Sequence, residues 1–420
     1  MVSRWMKGAL ALLLGAGLAL GAPDAQAQNK PPIKIGFSMA LTGGLAANGK
    51  SALLAMQIWE KDQNAKGGLL GRPVQLVYYD DQTSPSTVPG IYTKLLDVDK
   101  VDLVVGPYGT NLIAPAMPVI IQHKMAFMGL MGLAVNSEFH YPNYFAMIPS
   151  GPNPKQAFTK GFFDAAMAQN PKPKTVAIVG ADAEFSKNLT DGARENAKAA
   201  GLTIVYDKSY PPTTTDYAPI MRAINATNPD LIVVGSYPPD SVGMIRAMNE
   251  IGTNAKMFGG GMVGLQATAI KMQLGPALNG VLTYDFWLPA KTLTFPGTEA
   301  FLKQYQAQAA GAGVDALGYY MGPFSYAYLQ ILAEAVTETK GTDQQKLADY
   351  LRSHTFKTIV GDIKFGADGE WAQSRALMVQ FQHITGNDMG QFSDMTKTVI
   401  LSPAAFKSGT IIYPLAAARK

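Results

Sequence analysis

The sequence contains no cysteine. Disulfides, thiolate metal sites, a cysteine nucleophile and a lipid anchor carried on cysteine are therefore excluded. Histidine is scarce too. His123, His140, His354 and His383 stand singly, with no H-x-x-x-H metal spacing and no G-x-S-x-G nucleophile elbow, so the common marks of metal or hydrolytic catalysis are missing. Charged residues make up only 16% of the chain, Lys+Arg 35 against Asp+Glu 31. The formal net charge of +4 comes without a dense Lys/Arg run, which argues against nucleic acid as a partner. Beyond the first thirty residues no stretch approaches the roughly 20 consecutive apolar residues of a membrane span.

What is present starts with an export signal. Arg4 and Lys7 form a cationic start, Gly8 to Ala22 is a 15-residue run of Ala, Leu and Gly, and Ala25-Gln26-Ala27 supplies small residues two apart. That pattern reads as a secretory signal peptide over 1–27, cleaved after Ala27. A cysteine-free secreted chain of about 390 residues has to be held by its core alone, which suits a Gram-negative periplasm. With 47% hydrophobic residues it has ample core to do so.

The rest of the chain alternates short apolar runs with helical periodicity. Strands are expected at Ile33 to Met39, Val74 to Tyr79, Leu103 to Val105 and Met125 to Leu130, with helices from about 53 to 66, from Pro89 to about Asp99, and from Ile113 to His123. That order predicts a parallel sheet wrapped by helices. A proline-rich joint, Ile148 to Pro154, interrupts the rhythm, which then resumes with strands at Thr175 to Val179, Thr203 to Val205, Leu231 to Val234 and Lys256 to Phe258. The expected fold class is α/β: two doubly wound parallel-sheet lobes joined by a hinge. Residues 30–151 with about 286–360 form the first lobe and 152–285 with about 361–415 the second.

Two stretches imitate nucleotide sites. Gly44 to Ser51 fits G-x-x-x-x-G-K-[ST] between a strand and a helix, and Val74 to Asp80 resembles a strand ending in a metal-binding carboxylate. Gly259-Gly260-Gly261-Met262-Val263-Gly264 fits G-x-G-x-x-G, with Asp285 some twenty residues on. Export to a compartment without nucleotides argues against both, and the second does not open a βαβ unit. The first is better read as a pocket loop with Asn48 as a polar contact, the second as a flexible pocket wall. No cofactor is expected. Among aromatic residues at strand ends, Tyr108 and Tyr237 are the preferred pocket candidates, because ligands of open parallel sheets bind at the carboxyl ends of strands. Phe185, Tyr284, Phe286 and Trp287 are further possibilities.

Together Leu41-Thr42-Gly43, Asn64 to Pro73, Asp80 to Pro85, Val104-Val105-Gly106-Pro107, Asp216-Tyr217 and Ile363 to Gly369 resemble the branched-chain amino-acid-binding family of periplasmic solute receptors, over nearly the whole mature chain. The resemblance implies a type I periplasmic-binding fold with three crossovers, closure on a ligand, and delivery to the membrane permease subunits of an ABC importer. It implies a non-catalytic receptor, monomeric and not membrane-embedded. A sensory receptor or a secreted hydrolase are the rivals.

Similar proteins hold the ligand's amino and carboxylate groups with residues matching Thr110, beside Gly109, and the positions of Met131 and Leu133. Others match Phe185 and Tyr237, together with an acid near Gly261. Here Met131, Leu133 and Gly261 depart from that pattern. Without the acid an ammonium would be buried unpaired at a cost of several kcal/mol, so the ligand is expected to be an aromatic or other apolar carboxylate rather than an amino acid. Branched-chain amino-acid binding proper is the alternative.

Overall fold

The computed structural model describes residues 30–420, so the expected signal peptide at 1–27 lies outside the described residues. Five parallel strands form the first lobe: β1 (Ile33–Met39), β2 (Val74–Asp80), β3 (Leu103–Val104), β4 (Phe127–Leu130) and β5 (Tyr144–Met147). Regular pairing gives the order β2-β1-β3 and the pair β4-β5. The seam between β3 and β4 is closed by Gly106 N–H to Met128 O (2.7 Å) and Gly109 N–H to Leu130 O (2.9 Å). A side chain at Gly106 would meet the Gly129 backbone at 2.8 Å, so glycine is what lets the strands approach there.

The second lobe repeats the plan. Strands β6 (Thr175–Ala181), β7 (Thr203–Tyr210), β8 (Leu231–Ser236), β9 (Met257–Met262) and β10 (Leu282–Asp285) pair in the order β7-β6-β8-β9-β10, the same winding as β2-β1-β3-β4-β5. Ile33, Ile35 and Phe37 in one sheet, and Ile232, Val233 and Val234 in the other, are fully buried. Such near-continuous apolar strands are what a sheet covered on both faces requires.

The chain then returns to the first lobe. Helix Met321–Thr339 packs on helix Ala46–Ala65, with the Tyr326 hydroxyl donating to Asp62 at 2.9 Å. The hairpin β11 (Thr355–Thr358) and β12 (Gly361–Lys364) stays on this lobe, where Ala146 N–H donates to Gly369 O (2.8 Å). Strands β13 (Leu377–Phe381) and β14 (Thr398–Ser402) then add antiparallel to β10, so the return to the second sheet lies beyond 371 whereas the sequence placed it at about 361. Three crossings between the sheets result. Among the described residues no helix is long and apolar enough to cross a membrane.

Several expectations need correction. Gly259 to Gly261 do not form a flexible wall but lie inside β9, all buried. The proline-rich joint runs directly into helix Pro154–Met167, with Pro154 in its first turn where no N–H is needed. Leu282–Asp285, beyond the last strand expected from the sequence, is a full strand of the second sheet.

Candidate functional site

The strand-end loops of both sheets meet over a cavity of about 30 Å³, room for roughly one or two waters. Seven aromatic rings line it: Tyr108 from the first lobe, Phe158, Phe185, Tyr237, Tyr284 and Phe286 from the second, and Tyr320 from the returning segment. Met131, Leu45, Ile148 and Val263 complete the apolar wall, and among the described residues no charged side chain reaches it. None of the four histidines does either.

The polar groups are few and mostly belong to the backbone. Helix Thr110–Gln122 starts in the cavity wall, preceded by Gly109 at φ +92°, a conformation that favours glycine. The amides of Thr110 and Asn111 have no carbonyl partner among the described residues, as expected of a helix's first turn. The Thr110 Oγ1 accepts from Leu133 N–H at 2.9 Å, which leaves its own proton to give. Two amides without a protein partner, a hydroxyl and the positive end of the helix are donors of the kind that suit an anion.

The lobes also touch one another here. Asn111 Oδ1 accepts from Phe185 N–H (3.0 Å) and from the Tyr237 hydroxyl (2.9 Å), and Asn188 Nδ2 donates to Leu133 O (2.9 Å). Burial pushes the Tyr237 hydroxyl's pKa up, so it stays a neutral donor. Phe185 stands edge-on to Tyr237 and to Phe158.

Of the residues singled out in the sequence, Tyr108, Gly109, Thr110, Met131, Phe185 and Tyr237 line the cavity together. Asn48 stands behind it, its Nδ2 donating to the Tyr108 hydroxyl at 2.8 Å. Leu133 contributes backbone to the Thr110 and Asn188 bonds rather than a side chain to the wall. Gly261 is outside the lining. A Cβ there would stand 1.7 Å from Leu189 Cδ1, so leucine fills the space an acid would need. Tyr284 and Phe286 line the cavity, while Trp287 turns its indole N–H to Leu293 O. Phe158, Asn111 and Tyr320 were missed. Phe158 sits in the helix that was not foreseen, and Tyr320 lies 166 residues beyond Pro154 at the end of the joint, so only the returning crossover brings it in.

The phosphate-loop match is resolved by packing. Lys50 is exposed, and the Ser51 hydroxyl, buried, donates to Ala47 O at 2.8 Å. A Cβ at Gly49 would meet Ala40 O at 2.0 Å, so this glycine serves close approach of helix to strand end. Asp80 is committed to the loop. Burial works against its ionisation, yet hydrogen bonds from the Thr42 hydroxyl and from the amides of Gln82, Leu41 and Thr42 outweigh it and hold the carboxyl below its usual range.

The comparisons agree with this architecture. The family model described as periplasmic binding protein matches residues 32–387. An amino acid binding protein of Pseudomonas aeruginosa is 24% identical over 395 residues, covering 93% of this chain and 98% of its own. Among solved structures, a solute binding protein of an R. palustris ABC transporter in complex with benzoate superposes with a TM-score of 0.72 at 17% identity, covering 90% of this chain and 98% of that one. A branched-chain amino acid transporter substrate binding protein from Streptococcus pneumoniae, in complex with isoleucine, gives 0.69 at 19%, covering 85% and 97%. At these identities the structures speak for the fold alone. The family match over most of the sequence and the repeated two-lobe winding establish that the chain belongs to the periplasmic binding proteins, in the leucine-binding-like group of type I fold.

Proposed function

We propose that this chain is the periplasmic, non-catalytic receptor of an ABC importer, capturing a small aromatic or other apolar carboxylate between its lobes and presenting it, as a monomer, to membrane permease subunits. The observation that carries the reading is the composition of the cavity wall: seven rings, no charged side chain, and two unpaired amides at a helix start. A carboxylate finds its counter-dipole at Thr110 and Asn111, and an apolar body finds the rings. An ammonium finds no carboxylate, since Leu189 occupies the space beside Gly261. Because walls come from both lobes and the space between them is small, entry requires the lobes to part, with the joint at 148–154 as hinge. That the same fold holds benzoate in one relative and isoleucine in another makes both ligand classes worth testing.

Thermal-shift titration of the mature protein tests this, because a ligand at a hundred times its Kd stabilises the folded state by about 2.7 kcal/mol. Benzoate-type acids are expected to raise Tm. A rise with leucine or valine and none with aromatic carboxylates would establish the amino-acid alternative instead. Turnover of ester or amide probes would establish a hydrolase.

A further inference from the structure

Three of the lining residues, Tyr108, Tyr320 and Tyr284, also form a cluster through their hydroxyls. Asn48 Nδ2 donates to the Tyr108 hydroxyl at 2.8 Å, Tyr108 donates to Tyr320 at 3.4 Å, and the Tyr320 and Tyr284 hydroxyls lie 3.2 Å apart. The three rings are nearly buried, at 3%, 7% and 1% exposure for Tyr108, Tyr320 and Tyr284.

The protons can be counted. Three hydroxyls bring three protons. One goes from Tyr108 to Tyr320, and Tyr320 and Tyr284 share one more between them. The third has no acceptor among the described residues. Both hydroxyl-to-hydroxyl distances also exceed the roughly 2.7–2.8 Å of a good O–H···O bond, so even the bonds that exist are stretched. Phenylalanine would fill the same volume, as Phe286 does against Tyr320 at 6.0 Å between centroids, and packing alone therefore gives no reason for three buried hydroxyls. Buried polar groups normally find a partner. An oxygen on a bound molecule supplies one.

We propose that Tyr108, Tyr320 and Tyr284 read an uncharged oxygen on the body of the ligand, so that the preferred solute is a hydroxylated aromatic carboxylate rather than an unsubstituted one. The inference rests on the reading of the cleft as a carboxylate site. A phenolic hydroxyl suits the cluster because it accepts the spare proton and can donate its own to a neighbouring tyrosine oxygen. A second carboxylate suits it poorly. It would be stripped of water with only neutral hydroxyls to replace it, away from the helix start that serves the first. Burial pushes all three phenol pKa values upward, which keeps the hydroxyls protonated as donors.

Isothermal titration of wild type, Tyr284→Phe, Tyr320→Phe and the double variant with benzoate, 4-methylbenzoate, 3-hydroxybenzoate and 4-hydroxybenzoate tests the proposal. One hydroxybenzoate is expected to bind wild type about tenfold more tightly than benzoate or its methyl analogue, the scale of one buried hydrogen bond. In the double variant that preference should shrink to about twofold, read as the ratio of hydroxybenzoate to 4-methylbenzoate affinity within the same variant. Melting curves of the isosteric variants establish that they fold. Equal wild-type binding of hydroxylated and methylated acids, or a preference that survives in the double variant, overturns the proposal and leaves the carboxylate reading standing. Failure of every aromatic carboxylate, with leucine binding, overturns both.

Discussion

The two lobes share a winding and differ in how they use it. In the first lobe the glycine-rich stretch Gly44 to Ser51 is a loop and helix start outside the sheet, and this lobe brings to the cavity the helix start at Gly109, Thr110 and Asn111 together with Tyr108, Leu45, Met131 and Ile148. In the second lobe the stretch Gly259 to Gly264 is taken into the sheet and the turn after it, and the cavity share is rings. Gly259 shows why. Its φ is +145° and a Cβ would stand 1.8 Å from Leu282 O, so the strand β10 can sit beside β9 only because no side chain intervenes. Beside it, Tyr284 and Phe286 project from the end of β10 into the cleft. A similar letter pattern thus packs a helix start against a strand end in one lobe and two strands against each other in the other, and the first lobe brings a helix start to the cavity while the second brings most of its rings.

The largest effect that could break this contrast is on stability. Gly259→Ala is expected to destabilise by about 3 kcal/mol or more, because backbone and side chain cannot both be accommodated, whereas Gly44→Ala, with nothing within 4 Å of its added Cβ, should change stability by less than about 0.5 kcal/mol. Urea unfolding of both variants compares them directly, and similar losses would remove the distinction. In the second lobe, Tyr237→Ala removes a lining ring and the hydroxyl that bonds Asn111. Binding of a benzoate-type probe should weaken by about tenfold to a hundredfold, with the far-UV spectrum unchanged.

A smaller effect concerns pH. Burial pushes the Asp81 carboxyl up to about 6, although the Ser38 hydroxyl and Thr83 amide donate to it and work the other way. Between the ordinary carboxylate range and 6 the folded chain holds a proton that the unfolded chain releases. Stability from this group is therefore greatest at low pH and falls as pH rises toward 6. Asp81→Asn should flatten the decline in folding free energy between pH 4.5 and 7 by on the order of 1–2 kcal/mol, read from denaturation midpoints across that range. The smallest effect is expected at Lys50, which is exposed and bonded to nothing near the cavity. Lys50→Ala should leave solute affinity within about twofold, since surface substitutions away from a site are usually near neutral. A large loss would return the phosphate-loop match to consideration.

Much of the fold was legible because parallel strands buried on both faces announce themselves as apolar runs. Ile33–Met39 was placed to the residue, and Val74–Asp80 and Leu231–Ser236 nearly so. Elements were missed where the signal is weak for a physical reason. Helix Pro154–Met167 hides behind a proline that looks like a breaker but sits in the first turn, and β9, expected only over Lys256 to Phe258, runs on through glycines that look like a loop but serve a close strand contact. The site followed the same rule. Tyr108, Phe185 and Tyr237 sit at strand ends or helix starts of the regular winding and could be named from the pattern, whereas Thr110 was named through the family resemblance; all four line the cavity. Tyr320 could not be, because nothing local marks a tyrosine on a returning segment as pocket wall. Asn111 was hidden differently: its role depends on the Phe185 amide and the Tyr237 hydroxyl of the other lobe.

By itself, then, the sequence determined the α/β winding and its repetition in two lobes, since hydrophobic periodicity and helix starts are local properties of the chain. Only the tertiary structure decided what the glycine motifs mean and which rings share a wall. It also decided that Tyr108, Tyr284 and Tyr320 bring their hydroxyls within reach of one another. The last of these depends on a crossover that brings Tyr320 to Tyr108, 212 positions away, and no pattern within a strand or helix records such a distance.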